Sequence, residues 1–125
     1  MPIDATLPYD DSNIFARILR GELPSKTVYE DEFALAFHDI NPQAPLHILV
    51  IPKGPYVSWD DFSERGSDAE IAGFVRAVGK VARDQGRAAP GDRLLANVGL
   101  DSQQEIPHHH VHIFAGQPLG PMLAR

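Results

Sequence analysis

The chain predicts an α+β domain in which antiparallel hairpins carry helices on one face. Three observations lead there. Short β-branched runs sit in pairs around turn residues. One long stretch has helical spacing behind a capping signal. Strands and helices do not alternate in the regular order of a parallel α/β sheet. At 125 residues the chain suits one domain and can bury a core without disulfide or metal staples.

The first eleven residues, MPIDATLPYDD, show no apolar period and read as a flexible arm, residues 1–11. Ser12 then precedes Ile14, Phe15, Ile18 and Leu19, which form one apolar helical face that Gly21 can stop. Two short apolar runs, residues 27–29 and 33–37, flank Glu30-Asp31-Glu32 and read as a β-hairpin. After the turn Asn41-Pro42-Gln43, the run LHILVI over residues 46–51 reads as a central strand closed by Pro52, Gly54 and Pro55.

Residues 59–64 read as a short helical turn. Ser67-Asp68-Ala69-Glu70 has the form of a capping box, in which Ser and Glu each satisfy an orphan backbone donor. Ile71, Phe74, Val75, Val78, Val81 and Ala82 follow at helical spacing up to Gly86, so this is the best-marked helix. Residues 93–98 and 109–114 read as the last two strands. The tail GQPLGPMLAR is irregular, yet Leu119, Met122 and Leu123 suit it to docking on a second subunit. No internal repeat or second domain is visible.

Composition narrows the chemistry. With no cysteine, a disulfide framework, a thiol nucleophile and a cysteine-ligated zinc are all excluded. A net charge of −6 argues against a general nucleic-acid surface. A small phosphorylated ligand stays open, because a local site can be positive in an acidic protein. No apolar run approaches the about 20 residues needed to span a membrane. The N-terminus lacks the basic and apolar parts of a signal peptide. The expectation is a cytoplasmic protein that binds neither membrane nor nucleic acid.

The histidines carry the functional signal. His108, His110 and His112 alternate along an expected strand and share one face, at about 6.7 Å intervals. His109, Val111 and Ile113 share the other. Such a row has three readings: a metal site, covalent phosphoryl chemistry by a neutral imidazole, or a histidine-rich strand with no chemistry. From the row alone a metal comes first. His47 lies inside LHILVI, where a lone histidine is more often a satisfied core residue. Asp39 and Asn97 stand at strand ends, where ligand groups collect. A carboxylate at Asp39 can hold a ribose diol by two charge-assisted hydrogen bonds, although taken singly it reads as a turn residue.

Read together, NIFARILRGELPSKTVYED, ALAFHDINPQAPLHILVIPK, LLANVG and HHHVHIFAG resemble the histidine triad (HIT) family, and its Hint branch in particular. The family motif His-φ-His-φ-His-φ-φ, with φ hydrophobic, stands here as His108-His109-His110-Val111-His112-Ile113-Phe114. The resemblance implies a single HIT domain over residues 12–125, with an antiparallel sheet of about five strands and two main helices. It also implies a homodimer whose sheets join across the interface.

The implied activity is hydrolysis of nucleoside monophosphate linkages of the adenosine phosphoramidate type, with a purine nucleotide as substrate. A dinucleoside polyphosphate hydrolase and a nucleotide-binding module with little turnover are the alternatives. By position, His110 resembles the nucleophile of a nucleotidyl-histidine intermediate and His112 the phosphate-binding partner. His108 and His47 resemble residues that buttress and polarise the site. Asp39 resembles the ribose-binding carboxylate, with Ile40 beside it. Phe15 and Ile18 resemble part of the base pocket, and Asn97 an amide near the phosphate. A protonated His112 and the loop amides of Gln103, Gln104 and Glu105 would supply oxyanion donors. The scheme needs no metal and no cofactor.

Three departures from the family pattern stand out. His109 replaces a hydrophobic residue, faces away from the site, and suggests a structural or interface role and a less dry interior. Gln103 stands where relatives often have glycine, which brings a side chain to the phosphate loop. The paired cysteines that some relatives carry near Asn13 and Ala16 are missing, so no structural zinc of that kind is expected.

Overall fold

The computed structural model describes residues 1–124. Helix α1 spans Ile14–Leu19 and is capped by Asn13, whose Oδ1 accepts the Ala16 N–H at 2.9 Å. Strands β1 (Thr27–Glu30) and β2 (Ala34–His38) form the expected hairpin. Asp31 closes it by accepting the Phe33 and Ala34 N–H groups at 2.8 and 2.9 Å. Strand β3 (Leu46–Pro52) is buried over most of its length. Helices α2 (Trp59–Arg65) and α3 (Asp68–Asp84) follow. Both hydrogen bonds of the capping box at Ser67 and Glu70 form, at 3.1 Å each. Strands β4 (Arg93–Leu95) and β5 (Val111–Ala115) complete one five-stranded, fully antiparallel sheet in the order β1-β2-β3-β5-β4.

The expected α+β class holds, with one correction: the helices cover both faces of the sheet. Along β2 and β3 both alternating sets are apolar, so neither face can be left to water. Ala34, Ala36, Ile48, Val50, Val111 and Ile113 pack with Phe62, Phe74, Ala77, Val78 and Val81 of α2 and α3. The opposite set, Leu35, Phe37, Leu49 and Ile51, packs with Phe15 of α1. His47 and His112 share that second face, because Leu49 pairs with His112 and His47 with Phe114. The sheet therefore separates a large core under α3 from a smaller, histidine-bearing face under α1.

The last two strands are shorter than the sequence suggests. β5 begins at Val111, because His109 N–H leaves the ladder for the Tyr56 carbonyl at 2.8 Å and His108 N–H bonds Ile106 at 2.8 Å. Pro52 ends β3 beside this point, and proline has no N–H to offer a further rung. β4 ends at Leu95, opposite His112, and the chain turns away through Gly99 at φ 73°. The first eleven residues are fastened at two points: Ile3 N–H donates to the Gln104 carbonyl at 2.7 Å and Tyr9 reaches His108. Among the described residues, no helix is long and apolar enough to cross a membrane.

Candidate active site

Although His108, His109 and His110 precede β5, side-chain alternation persists through them. His110 and His112 rings lie 5.0 Å apart, and Phe15 sits edge-on to both His110 (5.0 Å) and His108 (6.3 Å). His109 turns the other way, into the core of α2 and α3, against Phe62 and Phe74. A cavity of about 710 Å³ opens on the α1 face. Its wall brings together ten of the expected residues: Phe15, Ile18, Asp39, Ile40, Asn97, Gln103, Gln104, Glu105, His110 and His112. His47 and His108 lie behind this wall, 2% and 0% exposed.

Hydrogen-bond partners fix the proton on each ring. The His110 Nδ1 stands 2.8 Å from the His108 carbonyl. A carbonyl only accepts, so Nδ1 carries the proton and Nε2 keeps its lone pair. Burial also holds His110 below the ordinary imidazole value, with the nearby Asp39 charge opposing. His108 Nε2 donates to the Pro52 carbonyl at 2.8 Å, which leaves Nδ1 to accept the Tyr9 hydroxyl proton at 2.7 Å. The Tyr9 phenol is pushed up by burial and stays a donor.

A second chain runs through His47. The Gln43 N–H donates to its Nδ1 at 3.1 Å, so Nε2 carries the proton. That proton goes to His112 Nδ1 at 2.9 Å, and the Asp39 carboxylate lies 3.4 Å from the same nitrogen. His112 is thereby left with its own proton on Nε2. Burial, with the neighbouring His110 and His47 adding to it, pushes His112 down to about 4. The expected cationic His112 is thus replaced by a neutral ring that donates through Nε2–H. The Asp39 carboxylate also accepts the Asn41 N–H at 2.8 Å, which pins it at the end of β2.

Asp39, His47 and His112 offer three potential metal-ligand atoms within 4.8 Å of one another. Their arrangement is that of a hydrogen-bonded relay. The two imidazole nitrogens stand 2.9 Å apart, whereas two nitrogens on one tetrahedral ion at 2.0–2.1 Å would lie about 3.3 Å apart. Metal binding would also require His47 Nε2 to lose its proton and Nδ1 to take one facing the Gln43 N–H. Among the described residues the His108–His110–His112 row does not bring three ligand atoms together in this way. Both His108 nitrogens are engaged, Nε2 by the Pro52 carbonyl and Nδ1 by the Tyr9 hydroxyl.

Two placements differ from expectation. The Gln103 and Gln104 N–H groups, expected as oxyanion donors, are taken by the Leu100 and Gly99 carbonyls at 3.0 Å each, and Gln104, 1% exposed, turns its side chain inward although it lies on the wall by position. Its Nε2 donates to the Val57 and Ile106 carbonyls at 2.7 and 3.0 Å, and its Oε1 accepts the Gly99 N–H at 3.0 Å. It braces the loop. Tyr9 lies in the stretch expected to be a loose arm, yet it completes the partners of His108. The one signal in the sequence is a lone aromatic in a stretch with no apolar period.

Comparisons with known proteins bear on the family. The family model described as the HIT domain matches residues 20–119. An uncharacterised HIT-like protein of Azospirillum brasilense is 66% identical over 94% of this chain and 96% of its own. The purine nucleoside phosphoramidase of Escherichia coli K12 is 41% identical over 91% of this chain and 95% of its own. A solved HIT family hydrolase from Clostridium thermocellum superposes with a TM-score of 0.79 at 35% identity, covering 92% of this chain and 99% of that one. A sheet that lines up His110 and His112 under α1, with sequence and structural kinship over nearly the whole length, places the chain in the HIT family.

Proposed function

We propose that the protein hydrolyses purine nucleoside monophosphate linkages of the phosphoramidate type through a nucleotidyl-His110 intermediate. The observation that carries this reading is the 2.8 Å bond from His110 Nδ1–H to the His108 carbonyl. It leaves a neutral imidazole with a free Nε2 lone pair at the cavity, which is what attack on phosphorus requires. The 41% identical relative named as a purine nucleoside phosphoramidase supports the substrate class.

In this scheme the base lies along Phe15, Ile18 and Ile40, and Asp39 accepts the ribose hydroxyls. His110 Nε2 forms a bond to phosphorus as the P–N bond breaks, and the departing amine takes the electron pair and a proton from solvent. The neutral His112 Nε2–H donates to a phosphoryl oxygen, as an already oriented donor should. Water then attacks the phosphorus, gives a proton to solvent, displaces His110 with its electron pair, and releases the nucleoside monophosphate. Residues 12–125 act as one catalytic domain in a cytoplasmic homodimer. The outer edge of β4 supports the dimer, being unpaired among the described residues with Leu94 52% exposed, and sedimentation will test it.

The deciding experiment is hydrolysis of an adenosine phosphoramidate carrying a fluorescent amine, in chelator, by the native protein and His110→Ala. Fast release by the native protein, lost in the variant while adenosine monophosphate still binds, is the expected result. Tight binding with no release by the native protein would move the assignment to a binding module or a polyphosphate hydrolase.

A further inference from the structure

We propose that Gln103 selects the leaving group, admitting small or hydrogen-bonding amines and rejecting bulky aromatic ones; this rests on the hydrolase reading above. Gln103 has a φ of 59°, and it is the one residue other than glycine with a positive φ among the described residues. That left-handed backbone is disfavoured for any residue with a Cβ. It persists here because its surroundings dictate it. Gln103 N–H bonds the Leu100 carbonyl at 3.0 Å, and Gln104 N–H bonds Gly99 at 3.0 Å. The inward Gln104 side chain holds the loop from within, and Ile3 N–H holds the Gln104 carbonyl from the arm. A side chain kept at a strained position on a cavity wall points to a role in that cavity.

The direction of the reaction says which role. His110 is 8% exposed, at the floor of the cavity. In-line attack by its Nε2 sends the leaving group away from the floor, toward the mouth. Gln103 lines the same cavity and is exposed where His110 is buried, with Ser102 and Glu105 beside it, which sets it toward solvent. Its side chain adds bulk to the exit and offers an amide donor and an acceptor. A short or polar amine can pass or bond to it, whereas a rigid aromatic amine must displace it.

The test compares unsubstituted adenosine phosphoramidate with the amidate of an indole-bearing amine, on native protein, Gln103→Ala and Gln103→Gly. Alanine removes the side chain and keeps the strained backbone; glycine removes both. The native protein should favour the unsubstituted substrate in kcat/KM, and both variants should erode that preference by about tenfold. An equal ratio in all three proteins, or a shift in the glycine variant alone, overturns the inference and leaves the hydrolase reading intact. A native preference for the indole substrate overturns it too. A native protein inert on both substrates overturns the hydrolase reading, and the inference with it.

Discussion

His109 and His110 are neighbours in the chain and opposites in their surroundings. On the α1 face, the partners of His110, His108, His47 and His112 fix where each proton sits. On the α3 face, His109 is 1% exposed among Phe62, Phe74 and Trp59, and its Nε2 has no hydrogen-bond partner among the described residues. Burial holds both rings neutral. On one side that neutrality leaves a lone pair aimed at a cavity; on the other it only limits the cost of placing a polar ring in an aromatic core. A histidine's role is therefore read from its partners, and neither its neighbours in sequence nor its protonation state distinguishes the two.

The largest effect that sharpens this contrast is on the site face. His110→Asn should lower turnover by at least about 10³-fold, because an amide cannot serve as the nucleophile. The urea midpoint should barely move, since asparagine can still donate to the His108 carbonyl. A variant that keeps a tenth of native turnover in single-turnover assays would refute the assignment.

The core face should show the reverse. His109 is pushed down to about 3, with burial as the main cause. An unfolded histidine titrates near 6.5. Between these values the unfolded chain binds the extra proton, so stability is full above about pH 6.5 and falls as pH drops toward 3. The slope from this one residue is about 1.4 kcal/mol per pH unit within that window. His108 and His112, each pushed down to about 4, act in the same direction over a narrower window. His109→Leu should flatten the acid limb of a stability–pH curve and add about 1 kcal/mol at pH 7 by removing an unsatisfied buried nitrogen. Unfolding curves from pH 7 to 4 measure both. An unchanged slope would show that His109 finds a partner the structure lacks.

Smaller effects probe the attachments of the site face. Tyr9→Phe removes the donor to His108 Nδ1 and should cost about 1–2 kcal/mol. Imidazole nitrogen shifts in NMR should move at His108 and not at His109. The smallest concerns Gln103→Gly, which relieves the φ of 59° but loosens the unfolded chain. The two nearly offset, for a net gain under about 1 kcal/mol in thermal or urea unfolding.

Much of this was legible in the residues, and the gaps have physical causes. The 46–51 run and the Ser67–Glu70 box are local signals, and β3 and α3 follow them closely. Alternation placed His110 and His112 on one face even though the strand itself starts later. The start of β5 was not legible, because it depends on a distant carbonyl, that of Tyr56. Tyr9 lies 99 positions from His108, and no local pattern reports such a contact. The sequence offers the Gln103 and Gln104 amides as oxyanion donors, but both are spent inside the loop on the Leu100 and Gly99 carbonyls, a pairing that position along a loop does not reveal. Cover on both faces of the sheet followed from apolar residues at both alternations of β2 and β3, a signal present in ALAF and LHILVI but outweighed by the hairpin reading.

The strand order carries one more consequence, for the sequence of events in folding. β5 is last in the chain yet lies between β3 and β4. As the polypeptide emerges, the β1–β2–β3 meander can form by local pairing, but β4 has no partner until β5 inserts. That insertion closes the longest loops and is the slow, entropically costly step expected of non-local pairing. The same event carries His110 and His112 into place. Nascent or truncated chains should therefore be inert toward substrate until the sheet is complete, with catalytic competence arriving in the final act of folding.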